Sequence, residues 1–175
     1  MIRSIGVVVL VLFSSAFTRA QSGDSTAWND LRFLLGEWVG AGGGTGSGQG
    51  SGWSTFSFDL QGRVIVRKNH AEYPAAKDRQ SFTHDDLMII YRETGRYPRA
   101  IYLDNEGHVI YYSVESSNTG RRVTFLSDST SRGPRYRLSY SASGADTLAF
   151  EFDIAPPGKP DDFAPYIRAT TRRNK

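Results

Sequence analysis

The chain has 175 residues, 21 of them Lys or Arg and 18 Asp or Glu, with three His and no Cys. Without Cys there is no disulfide and no lipid-modified cysteine, so the fold must rest on its own core. Arg3 and Arg19 fall in an expected leader, and the remaining 19 basic and 18 acidic residues are too balanced and too scattered to mark a nucleic-acid binder.

Arg3 gives the leader a positive start. Residues 5–13 are an unbroken apolar run, and Thr18-Arg19-Ala20 offers a cleavage site. This is the pattern of a secretory signal peptide cleaved near Ala20, with an exported product that is periplasmic or extracellular. The run is too short to cross ~30 Å of hydrocarbon, so no stable membrane insertion is expected. Residues 21–175 then form one domain.

Residues 27–35 read as a short helix with Trp28, Leu31, Leu34 and Leu35 near one face, stopped by Gly36. From there the chain reads as short strands separated by turn chemistry. They are expected over 37–41, 53–60, 63–73, 85–92, 99–103, 108–115, 121–127, 135–141, 147–154 and 166–173. Gln61-Gly62, Asp104-Asn105-Glu106-Gly107 and Ser143-Gly144 supply tight turns. Ten strands in sequential, short-looped order predict an all-β fold, a ten-stranded antiparallel up-and-down β-barrel with a short N-terminal helix. A β-sandwich is the alternative. The last basic residues, Arg172, Arg173 and Lys175, read as a solvated tail.

Side chains alternate between the two faces of a strand. The ninth strand sorts cleanly, with Leu148, Phe150, Phe152 and Ile154 on one face. The third strand does not. Val64, Val66, Lys68, His70 and Glu72 share one face, and Ile65, Arg67, Asn69, Ala71 and Tyr73 share the other. The sixth is mixed as well, with Tyr112 between Ile110 and Val114. Mixed faces fit a barrel whose cavity is lined by apolar and polar groups, or a barrel whose exterior is loosely patterned.

Three histidines, His70, His84 and His108, without Cys do not make a zinc site, and no metal is expected. No nucleophile elbow is present. Gly44-Thr45-Gly46 lacks the lysine and the strand-loop-helix context of a phosphate loop. His84-Asp85-Asp86 reads as a loop edge. No catalytic residue is assigned, and a binding protein is expected before an enzyme.

Gly36, Gly40, Gly42 and Gly44 stand at alternate positions around Trp38. Such a face, stripped of side chains, lets a sheet curve or another group approach the backbone. This G-x-W-x-G-x-G-x-G stretch, after a short Leu-rich helix, resembles the opening of the nitrobindin family. The family's members are ten-stranded, lipocalin-like haem-binding barrels related in shape to fatty-acid-binding proteins. The resemblance implies haem b, bound by a histidine in the last strand within a segment like H-L-x-A-x-x-x-R, and an associated peroxynitrite isomerisation. The matching segment here is Tyr166-Ile167-Arg168-Ala169-Thr170-Thr171-Arg172-Arg173, so Tyr166 stands at the ligand position. Arg168, expected on the same face, would help to hold it as a tyrosinate.

The same two residues support a different cargo. An inward arginine beside a tyrosine hydroxyl clamps a carboxylate, so a small hydrophobic or acidic, lipid-like ligand is expected in the cavity. Arg135 and Arg137 either do likewise or face solvent, with Tyr136, Leu138 and Tyr140 inside. The candidate ligand-binding residues are Trp38, Arg67, His70, Tyr112, Tyr166 and Arg168. A third possibility is a filled barrel acting as a non-catalytic interaction module of the envelope.

Overall fold

Ten antiparallel strands, each hydrogen-bonded to its neighbour in sequence, close on themselves when the last pairs with the first. The structure is a computed structural model. It describes residues 25–40, 50–77, 79–93, 96–117, 119–130 and 132–175. The expected leader and Gly42 and Gly44 lie outside the described residues. The strands are β1 (Gly36–Gly40), β2 (Ser51–Asp59), β3 (Val64–Tyr73), β4 (Phe82–Tyr91), β5 (Arg99–Asp104), β6 (Val109–Ser116), β7 (Arg122–Ser127), β8 (Arg135–Ala142), β9 (Thr147–Ala155) and β10 (Ala164–Arg173). The expected barrel is the fold.

The strand limits shift by a few residues from the sequence reading, and two of the shifts have a plain local cause. β4 starts three residues early because Phe82, Thr83 and His84 pair with Tyr73, Glu72 and Ala71, and that ladder outweighs their loop-like composition. β6 starts at Val109 because the Asp104 carboxylate accepts the backbone N–H groups of Glu106 and His108, at 3.0 and 2.9 Å, which holds His108 in the turn.

The N-terminal helix, Ser25–Leu34, is a 3-10 helix. Its buried residues Trp28, Leu31 and Leu34 recur every three positions, and a helix with three residues per turn stacks them in one column. That column closes one end of the barrel. The Trp28 indole donates to the carbonyl of Gly62 at 2.9 Å, in the turn between β2 and β3. The Trp38 indole donates to the carbonyl of Leu34 at 2.7 Å. Burying Leu31 and Leu34 contributes about 1.5–3 kcal/mol each.

The register fixes which residues face inward. Phe56 pairs with Arg67, Arg67 with Met88 and Met88 with Tyr102, and all four belong to the inner face. Across the bore, β8 contributes Leu138 and Tyr140, and β9 contributes Leu148, Phe150 and Phe152. Tyr140 stands edge-on to Phe56 at 5.4 Å and to Phe125 at 6.3 Å, so opposite walls meet through aromatic rings.

The seam between β1 and β10 depends on one glycine and one arginine. Gly36 has φ +118°, and a Cβ there would overlap Nη1 of Arg173. The vacated space lets the Arg173 guanidinium lie 4.2 Å above the Trp38 ring and donate to the Leu35 carbonyl at 2.6 Å. Arg173 is therefore a clasp and not part of a solvated tail, whereas Arg172 and Lys175 are exposed as expected. Lys175 also pairs with Asp146, at 2.8 Å. Gly40 differs from Gly36, since a Cβ there would make only ordinary contact with Gly52.

Candidate functional site

The inner face of β3 and β4 carries a buried charge pair. Nη1 of Arg67 donates to Oδ1 of Asp86 at 2.5 Å, and their side chains are 4% and 3% exposed. Arg67 reaches across the bore, its guanidinium 5.9 Å from the ring centroid of Tyr140 on β8. Burial opposes the charge on Arg67. The Asp86 carboxylate and the oxygens of Tyr140, Tyr102 and Tyr112 outweigh that penalty and hold its pKa above the ordinary value. Burial likewise pushes the hydroxyls of Tyr102, Tyr112 and Tyr140 upward, so all three are neutral donors.

A second row runs from this pair to the rim. His84 sits two residues before Asp86 on the same face, with Nε2 3.0 Å from the Tyr102 hydroxyl and 3.6 Å from Oδ2 of Asp86. Its Nδ1 lies 2.8 Å from Oε1 of Glu106. The Asp86 carboxylate raises its pKa to about 9 against the cost of burial, with Glu106 assisting, so His84 is an imidazolium at neutral pH. The Tyr102 hydroxyl donates to Oδ2 of Asp104 at 3.2 Å. Burial would raise the pKa of Asp104, but its hydrogen bonds from His108 and Glu106 bring it below the usual carboxylate range.

Two atoms of this network lack partners among the described residues: Nε of Arg67 and the hydroxyl oxygen of Tyr140. A buried polar atom left unpaired costs about 1–3 kcal/mol. Both atoms lie within the barrel core, among Phe56, Met88 and Phe125 with Phe150 packed against them. At the ends of β2, β3 and β4, away from the helix-closed end, lies a hollow of about 730 Å³. It is lined in part by Gly50, Tyr73 and Phe82. A second hollow, of about 600 Å³, lies on the outer face among Arg122, Arg135, Arg137 and Phe163.

Of the sequence candidates, Trp38, Arg67 and Tyr112 are inside and buried. Trp38 sits at the closed end, whereas Arg67 and Tyr112 belong to the polar cluster. His70 is on the outer face, stacked on Trp53 at 5.9 Å, with Nδ1 2.7 Å from Asp85 and Nε2 3.1 Å from Glu72. Hydrogen bonding to Asp85, then to Glu72, raises its pKa. His70 is therefore no part of a site in the bore.

The inward pair of Tyr166 and Arg168 is corrected. Pro165 pairs with Asp153 and Ile167 with Phe152, leaving Tyr166 in a β-bulge that breaks the simple alternation. Ile167 and Ala169 face inward, opposite Phe152 and Phe150. Arg168 faces outward and pairs with Asp153, which also accepts from Nε and Nη2 of Arg137 at 3.0 and 2.9 Å. Arg135 faces outward too and pairs with Asp161 at 2.8 Å.

The described residues do not fit haem. Tyr166 is 48% exposed and packs edge-on against Phe152. The arginine that would favour its tyrosinate is held by Asp153. His70 lies outside, His108 lies in an exposed turn with Nδ1 2.8 Å from Asp104, and His84 has neighbours at both nitrogens.

Sequence reasoning missed Asp86, His84, Tyr102, Asp104 and Tyr140. The signal was present in β4, where His84, Asp86, Met88 and Ile90 alternate onto one face.

Fold and cluster together define a closed antiparallel β-barrel with a polar pair buried among aromatic rings. No protein-family model matches the sequence, and no curated protein does either.

Proposed function

We propose that the protein is an exported binding barrel that holds a small, largely apolar molecule by a single polar group. The observation that carries this reading is the pair of unsatisfied buried atoms, Arg67 Nε and the Tyr140 hydroxyl, set among the aromatic side chains of the barrel core. A ligand atom that pairs with them removes a cost the folded chain otherwise bears. The aromatic and aliphatic side chains around them take the apolar remainder. Entry is from the end opposite the 3-10 helix, where the hollow beside Tyr73 and Phe82 lies above the same three strands. The leader pattern of residues 3–20 supports carriage outside the cytoplasm. The resemblance to nitrobindins supports the barrel as a carrier in shape, without their haem.

The test is titration with all-trans-retinol, read by its fluorescence and by quenching of protein tryptophan. Saturable one-site binding, weakened about tenfold by Tyr140→Phe, is the expected result. No saturable binding, together with a bare polypeptide mass in native mass spectrometry of protein taken from its own cells, would sink the reading.

A further inference from the structure

We propose that the barrel selects ligands whose polar group is an uncharged hydrogen-bond acceptor, such as the carbonyl of an ester, ketone or amide, and discriminates against carboxylates. This rests on the binding reading above and names the ligand class for that site.

The argument starts from what Arg67 has left to give. A guanidinium has only donors, so the ligand atom facing Nε must accept. The Tyr140 hydroxyl is also unpaired and can donate to the same atom or accept from the ligand. Both a carbonyl and a carboxylate satisfy that geometry, and charge separates them.

The positive charge of Arg67 is already met by Asp86 at 2.5 Å, with both side chains out of water. The next positive group, His84, lies between Asp86 and Glu106. The next acid, Asp104, lies 2.8 Å from Nδ1 of His108. The inward-facing cluster thus has no cation to spare: Arg67 and His84 stand against Asp86, Asp104 and, at the rim, Glu106. A carboxylate arriving at Nε would be attracted by Arg67 and repelled by Asp86 on the same guanidinium. It would therefore lose its hydration without a net counter-charge. A carbonyl oxygen takes the same hydrogen bonds and brings no charge. A fatty-acid clamp needs an arginine with no acid of its own, and Arg67 has one.

The experiment uses one fluorescent chain in two forms, cis-parinaric acid and its methyl ester, titrated into the full-length protein at pH 7.5. The ester is expected to bind at least tenfold more tightly. Asp86→Asn removes the counter-charge and is expected to reverse the order, so that the acid becomes the better ligand. Equal binding, or tighter binding of the acid to the wild type, overturns the proposal while leaving the binding reading intact. An ester preference that persists unchanged in a folded Asp86→Asn protein also overturns it, because selection then lies elsewhere. If neither probe binds, the binding reading fails and the ligand class with it. Near-UV circular dichroism reports whether the variant folds, and if it does not, the wild-type ratio decides alone.

Discussion

Arg67 and Asp86 meet inside the barrel at 2.5 Å, their side chains only 4% and 3% exposed. Removing one partner leaves a lone buried charge, which costs about 3–5 kcal/mol, whereas replacing both by apolar residues of similar size is close to neutral. Asp86→Ala is therefore expected to lower the urea midpoint sharply. Combining Arg67→Met with Asp86→Leu is expected to recover most of the loss. Equal losses in the single and double variants would contradict the pairing.

Gly36 and Arg173 are expected to be coupled. Gly36→Ala places a methyl group on the Arg173 guanidinium and a side chain at φ +118°. The loss is expected to be about 2 kcal/mol or more, in line with strain at a special backbone position. Arg173→Ala relieves the overlap but not the backbone strain. The double variant should thus lose less than the two single losses combined, as a thermal-denaturation cycle would reveal.

His84 makes stability depend on alkaline pH. Its folded-state pKa, about 9, lies above the ordinary value of 6.5. Its contribution is therefore fully present below pH 6.5 and is lost as the pH rises through about 9. His70, whose pKa is also raised, acts in the same direction, so the comparison must be with a variant. The wild-type advantage in Tm over His84→Gln is expected to shrink between pH 6.5 and 10. An advantage that grows across that range would contradict the assignment.

Asp153 joins β8, β9 and β10 on the outer face. Its carboxylate is 4% exposed and holds both Arg137 and Arg168. Asp153→Ala leaves two guanidinium groups with partial access to water, so its cost falls below that of a fully buried pair, at about 2–3 kcal/mol. Arg137 also lies 4.3 Å above the Phe163 ring. Hydrogen exchange over residues 156–163 is expected to quicken in the same variant.

Haem added to the purified protein is expected to give no Soret band that depends on Tyr166. Tyr166→Phe should leave the spectrum as it was, because the phenol sits half exposed in a bulge beside an arginine engaged elsewhere. A band lost on that substitution would restore the tyrosinate ligand.

The barrel was legible because its turns are punctuated by residues with local reasons to turn. Asp104 folds its own carboxylate back onto two backbone N–H groups, and that preference needs no distant partner. The site was legible only in part. Arg67 and Tyr112 fell on alternating patterns that could be read. Asp86 stood in a polar run, His84-Asp85-Asp86, whose membership in a strand is decided by pairing with Asn69, His70 and Ala71. The bulge at Tyr166 was hidden because one extra residue changes the facing of its neighbours without changing composition. Pro165, which has no N–H for a ladder, was the one local warning.

The seam closed by Arg173 also sets an order of events. Every other strand pairs with its neighbour in sequence, so hairpins can zip together as a meander with short loops to close. Trp38 meets Arg173, Val39 meets Arg172 and Gly40 meets Thr171 only when the two ends of the sheet come round. Among the described residues that meeting is the one strand pairing between distant parts of the chain, and its closure entropy of about 4 kcal/mol falls on the shortest described ladder. The sheet is therefore expected to curl shut last when it folds and to part first along this line when it opens.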